Sequence, residues 1–218
     1  YYPPPGNLNF KLMLDIPTQY CESLIGNILS QPLNAISNVA YFVAAFIAYR
    51  YLRQQKATKL FILPALLGVI GIGSAWWHIA NSYVGDMLDT YSIALFASVV
   101  TIIFLTKITK SKVVVTAFFV VLLFLVFLAE TLAVWNGSLP YVVLLGGFLI
   151  TGIFYKKKFP STKLIFLSAS LTFLAAITVR SVDIILCPYI PTGTHFLWHI
   201  LVATLGYQII LLIAHAKQ

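Results

Sequence analysis

Three histidines, a serine and an aspartate carry the chemistry that this sequence offers. Ser74 and His78 stand four apart in GSAWWHIA, so on a helix they share one face. His195 and His199 repeat that spacing in THFLWHIL, and Asp89 follows His78 at the head of the next apolar run. Three neutral imidazoles with one position left open form a common catalytic zinc arrangement, although other divalent metals accept the same ligands. One helix would supply His195 and His199, and a second would supply His78. Asp89 would then take a proton from the attacking water, and the Ser74 hydroxyl would donate to a developing oxyanion. The plainer reading has three separate histidines bonded to neighbouring helices and Ser74 as a small packing residue. In it Asp89 caps the third helix, whose first turn suits a negative charge, and Asp86 reads as a cap of the same kind.

The elements that must hold these residues are membrane helices. The chain is 60% hydrophobic and 9% charged, with a mean hydropathy of +0.93, which marks a polytopic membrane protein. Taken alone, the net charge of +8 points to a nucleic-acid partner. None is expected, because the basic residues sit in short loops between apolar runs. Those runs fall near residues 32–53, 60–80, 87–106, 113–131, 139–155, 163–185 and 194–215, each long enough to span hydrocarbon. The expected architecture is therefore all-α, a seven-helix transmembrane domain over residues 32–218. A Pro-rich lead over residues 1–31 precedes it, part of it a short surface helix. The start shows no cleavable signal-peptide pattern, and the sequence begins at Tyr1, so the N-terminus is expected to be incomplete. Runs 113–131 and 139–155 carry almost nothing ionisable and read as lipid-facing scaffold.

Charge placement orients the bundle. Twelve of the 14 basic residues follow the first, third, fifth and seventh runs: Arg50, Arg53, Lys56, Lys59, Lys107, Lys110, Lys112, Lys156, Lys157, Lys158, Lys163 and Lys217. Lys11 and Arg180 fall towards the other side. By the positive-inside rule the N-terminus lies outside and the C-terminus in the cytoplasm. The six acids, Asp15, Glu22, Asp86, Asp89, Glu130 and Asp183, all belong to the outer half, with His78, His195 and His199. His215, at the inner end, reads as an interfacial residue. Cys21 and Cys187 both fall on the outer side, where a disulfide is favoured; two unpaired thiols are the alternative.

Ionisable and polar groups inside a span point to function. Gln31, Asn34, Asn38 and Tyr41 line one face of the first helix, either bonding to other helices or lining the site. Arg180 and Asp183 are three apart and read as an ion pair, or Asp183 supports a metal-binding histidine from behind.

At these residues the sequence resembles the alkaline ceramidase family, within a wider group of seven-helix membrane hydrolases that includes the adiponectin/progestin receptors. The matching pieces are Cys21-Glu22, QPLNAISN, GSAWWH running to LDTYSI, Asp183 to Cys187, and HFLWHIL, in order across residues 21–201. The QPLNAISN version is most similar to bacterial members, which implies a bacterial inner membrane; charge placement puts the site on its extracytoplasmic side. The resemblance implies cleavage of the ceramide amide bond to a sphingoid base and a fatty acid. It implies zinc on His78, His195 and His199, flanked by Ser74 and Asp89, and a Cys21–Cys187 disulfide. Glu22, Asn34, Asn38 and Asp183 would support the ligands. Eukaryotic relatives bind calcium around the Cys-Glu pair; here Gln19, Tyr20, Ser23, Leu24 and Gln31 replace that set, and calcium is not expected.

Other readings divide on simple tests. A lipid-binding receptor of the same group is disfavoured by the N-out orientation and by the Cys-Glu and H-x-x-W-H pieces. A non-ceramide lipid hydrolase keeps the zinc and changes the substrate. A transporter or scaffold predicts no bound zinc and would show inverted repeats, which the sequence does not display.

Overall fold

The computed structural model describes residues 20–24, 31–132 and 134–216; most of the Pro-rich lead, with Lys11, Asp15 and Gln19, and also Lys217, lies outside the described residues. Seven helices are long and apolar enough to cross a membrane. They are α1 in two segments (Pro32–Ser37 and Val39–Gln54), α2 (Ile62–Ala80), α3 (Tyr83–Ile108), α4 (Lys112–Thr131), α5 (Leu139–Lys158), α6 (Lys163–Leu186) and α7 (His195–His215). Among the described residues there is no strand. The expected all-α, seven-span architecture is what forms, with boundaries mostly within a few residues of those expected.

The break in α1 is made by its own side chains. Asn38 Nδ2 and Ser37 Oγ both donate to the Asn34 carbonyl, at 2.8 and 2.7 Å. The Asn38 amide therefore turns to Ala35 O at 3.3 Å, a tighter local bond that interrupts the regular ladder. The start of α1 is capped from outside. Pro32 has no amide to satisfy, and the Glu22 carboxylate accepts from the next two, Leu33 N at 2.5 Å and Asn34 N at 2.8 Å.

The turn between α2 and α3 is only two residues long. Asn81, at φ 44° and ψ 48°, closes α2 by donating to Trp77 O, and Ser82 caps α3 by accepting from Gly85 N at 3.2 Å. Helix α3 therefore begins at Tyr83, not near residue 87. This corrects two expectations: Asp89 lies in the second turn rather than the first, and the cap is Ser82, with Asp86 in the first turn. The two helices then meet backbone to backbone. A Cβ on Gly73 would lie 2.7 Å from Leu88 O and 3.2 Å from Asp89 N. That close approach brings Asp89 beside Ser74.

The core runs through α1, α2, α3, α5, α6 and α7, with Leu52, Leu67, Phe104, Tyr155 and Ile210 fully buried. Helix α4 buries only Leu122 and Ala129 and keeps its expected role as lipid-facing scaffold. Helix α5 does not: Gly147, Thr151, Gly152 and Tyr155 are buried, because small residues on one face let α4 and α6 close in. At the lysine-rich end, Lys107 Nζ donates to Ala216 O at 3.1 Å, Lys158 Nζ donates to Lys107 O at 2.7 Å, and His215 stacks on Tyr51.

Candidate metal centre

At the opposite end, the last turn of α2 and the first two turns of α7 bring three histidines together. His78, His195 and His199 are at most 1% exposed, and each offers a ring nitrogen within 4.8 Å of the other two. Their ring centroids lie 4.6 to 5.1 Å apart.

The hydrogen bonds behind the rings fix which nitrogen is free. Gln31 Oε1 accepts from Asn34 Nδ2 at 2.9 Å, so the oxygen of that amide also faces His78 Nδ1 at 2.7 Å, and His78 Nδ1 donates. Ser37 gives its proton to Asn34 O, so at 2.7 Å from His199 Nδ1 its oxygen accepts, and His199 Nδ1 donates. Both rings thus carry their lone pair on Nε2. Those two Nε2 atoms face each other at 3.1 Å. Two lone pairs at that distance repel unless a cation lies between them. His195 adds a buried Nδ1 without a partner. The donor set is all imidazole, and it fits a zinc-type divalent ion.

Ser74 Oγ lies 3.4 Å from His199 Nε2. Asp89 stands beside Ser74, with Oδ1 buried and unpartnered. The Asn34 Oδ1, Asn38 Oδ1 and Tyr41 hydroxyl oxygens are also buried without partners, and Tyr41 faces the His199 ring at 6.4 Å. Of the expected supporting residues, Asn34 holds Gln31, Glu22 caps α1, and the Asn38 amide nitrogen turns back onto α1's own backbone. Gln31 and Ser37 are the direct partners of the ring nitrogens. Gln31 was visible as part of the polar stripe. Ser37 was missed, although its place three residues after Asn34 was a signal.

Asp183 departs from the expected ion pair. Its carboxylate accepts from three backbone amides, Cys21 N at 2.9 Å, Thr194 N at 2.6 Å and His195 N at 2.9 Å. It grips the backbone of His195 and does not touch the ring. Gly193, at φ 68°, has no room for a Cβ against Asp183 and Cys21. Three backbone donors already hold the carboxylate, which leaves Arg180 to the aromatic residues around it. Cys21 and Cys187 form a disulfide.

Below the histidines, an apolar cavity opens between α2, α3, α4, α5, α6 and α7. Tyr141 and Trp198 line its upper end, and Phe104, Thr151 and Ile209 its lower. Along α3 its lining runs from Ile93 to Phe104, roughly 16 Å of helix.

The fold and the site together define a seven-helix membrane protein with a buried trihistidine centre above an apolar cavity. The ceramidase family model matches residues 17–218, and the chain belongs to that family. Membership implies an amidohydrolase embedded in the membrane and acting on a lipid.

Proposed function

We propose that this protein is a zinc-dependent amidohydrolase that cleaves the amide bond of a ceramide-like lipid to a sphingoid base and a fatty acid. The observation that carries the reading is the pair of facing Nε2 lone pairs of His78 and His199, with His195 beside them. When bound, zinc supplies Lewis acidity and lowers the pKa of water towards neutrality. The residues would do the rest. Asp89, with a free carboxylate oxygen, takes the proton of the attacking water and returns it to the leaving amine. Ser74 donates a hydrogen bond to the carbonyl oxygen as it gains charge. The apolar cavity receives one hydrocarbon chain and keeps bulk water away.

The same reading puts the N-terminus and the site on the extracytoplasmic side of a bacterial inner membrane. The exposed Lys56, Lys59, Lys110, Lys157 and Lys158, at the end opposite the histidines, support that orientation.

The test is metal content and hydrolysis in one detergent-purified preparation. About one zinc per chain and release of fatty acid from a short-chain ceramide are expected, with both lost in His199→Ala. Zinc without ceramide hydrolysis would redirect the substrate to other lipid amides or esters. A folded preparation without metal would sink the reading.

A further inference from the structure

Arg180 is 7% exposed, sits in the outer half of α6, and has no acid in ion-pair contact among the described residues. A buried cation in a membrane helix is expensive and is retained where it acts. Its guanidinium carbon lies 5.5, 5.2 and 5.4 Å from the ring centroids of Tyr20, Tyr141 and Trp198. Nη1 donates to the Tyr20 hydroxyl. The other end of that contact reaches the metal centre. The Tyr20 ring lies stacked on the His195 ring, 3.6 Å between centroids and 18° between planes, and 5.7 Å from the His78 ring.

Tyr20 is fixed on all sides. Its carbonyl accepts from Ser23 Oγ at 2.6 Å, and the next residue, Cys21, is held by Asp183 and by the disulfide to Cys187. His195 needs such a hold. Gln31 orients His78 and Ser37 orients His199 through hydrogen bonds to Nδ1, whereas neither ring nitrogen of His195 has a hydrogen-bond partner among the described residues.

We propose that Tyr20 is a positioning residue for His195: its ring sets the orientation of that imidazole by stacking, and Arg180 holds the ring in place. The lead segment thereby supplies one wall of the metal centre, and it does for His195 what hydrogen bonds do for the other two histidines. This inference rests on the metal-binding reading above.

The experiment measures affinity for zinc and for cobalt by chelator competition on full-length protein. It adds the visible absorption of the cobalt form and the thermal midpoint of the metal-free protein. Tyr20→Leu is expected to weaken metal binding by ~10–100-fold and to alter the cobalt spectrum. Tyr20→Trp, which keeps an aromatic face on His195, restores most of the affinity. Arg180→Met and Tyr20→Phe break the same bond, so their combined effect falls short of the product of the two. If Tyr20→Leu does not fold, Tyr20→Phe and Arg180→Met carry the test. Wild-type affinity and an unchanged cobalt spectrum in folded Tyr20→Leu, or in both Tyr20→Phe and Arg180→Met, overturn the proposal even if the metal-free midpoint drops. A wild-type protein that takes up neither metal overturns the metal-binding reading first, and this one with it.

Discussion

At the scale of the residue, each imidazole is as informative as the group behind it. His78 and His199 present Nε2 because Gln31 and Ser37 accept from Nδ1. Gln31→Leu removes the acceptor and frees the ring to turn, so metal affinity should fall by ~10–100-fold, as read by chelator competition. Ser37→Ala should act the same way on His199. Removal of the metal itself should lower the thermal midpoint, since a ligand that binds only the folded state stabilises it. The three histidines were legible in the sequence because titratable groups are rare inside spans and two of them share helical spacing. Their partners were harder to read. The stripe Gln31, Asn34, Asn38 and Tyr41 identified a polar face, but which residue meets which ring depends on the break at Asn38. Arg180 and Asp183 misled for a related reason: spacing of three allows an ion pair, and only the fold shows three backbone amides reaching Asp183 first.

At the scale of the element, short capping and close packing decide where the proposed catalytic groups, Ser74 and Asp89, stand. Gly73 lets α2 and α3 touch at Leu88 and Asp89. Gly73→Ala forces a shift against backbone, so a loss of ~1–3 kcal/mol is expected. Ceramide hydrolysis should fall further than stability does, because Ser74 and Asp89 are levered apart; parallel activity and thermal scans check this. Glu22→Ala leaves two amides at the start of α1 without partners, and a cost of about 1–3 kcal/mol is expected in the same scan. The seven spans were legible from hydropathy alone. The early start of α3 was not, because Tyr83, Gly85 and Asp86 do not extend an apolar run, and the cap at Ser82 carried the missing information. The inward face of α5 was hidden as well, since glycines and one threonine look as bland as lipid-facing residues until a neighbour packs on them.

At the scale of the whole molecule, the Cys21–Cys187 bond fastens the lead to the end of α6, next to the start of α7. Cys21→Ser with Cys187→Ser should lower stability by about 2–4 kcal/mol and weaken metal binding, since Tyr20 and Glu22 lose their anchor. The bond also makes one covalent ring of α1 to α6, its two cysteines 166 positions apart in the sequence, and α7 hangs from that ring as a tail. A single protease cut at the exposed lysines of the opposite end, after Lys56, Lys110 or Lys157, would open the ring without separating its parts. The nicked protein should migrate as one species on a non-reducing gel and as two once a thiol is added. Done on sealed vesicles of known sidedness, that one assay would report whether the cysteines are oxidised in the native membrane and which end of the bundle the protease can reach.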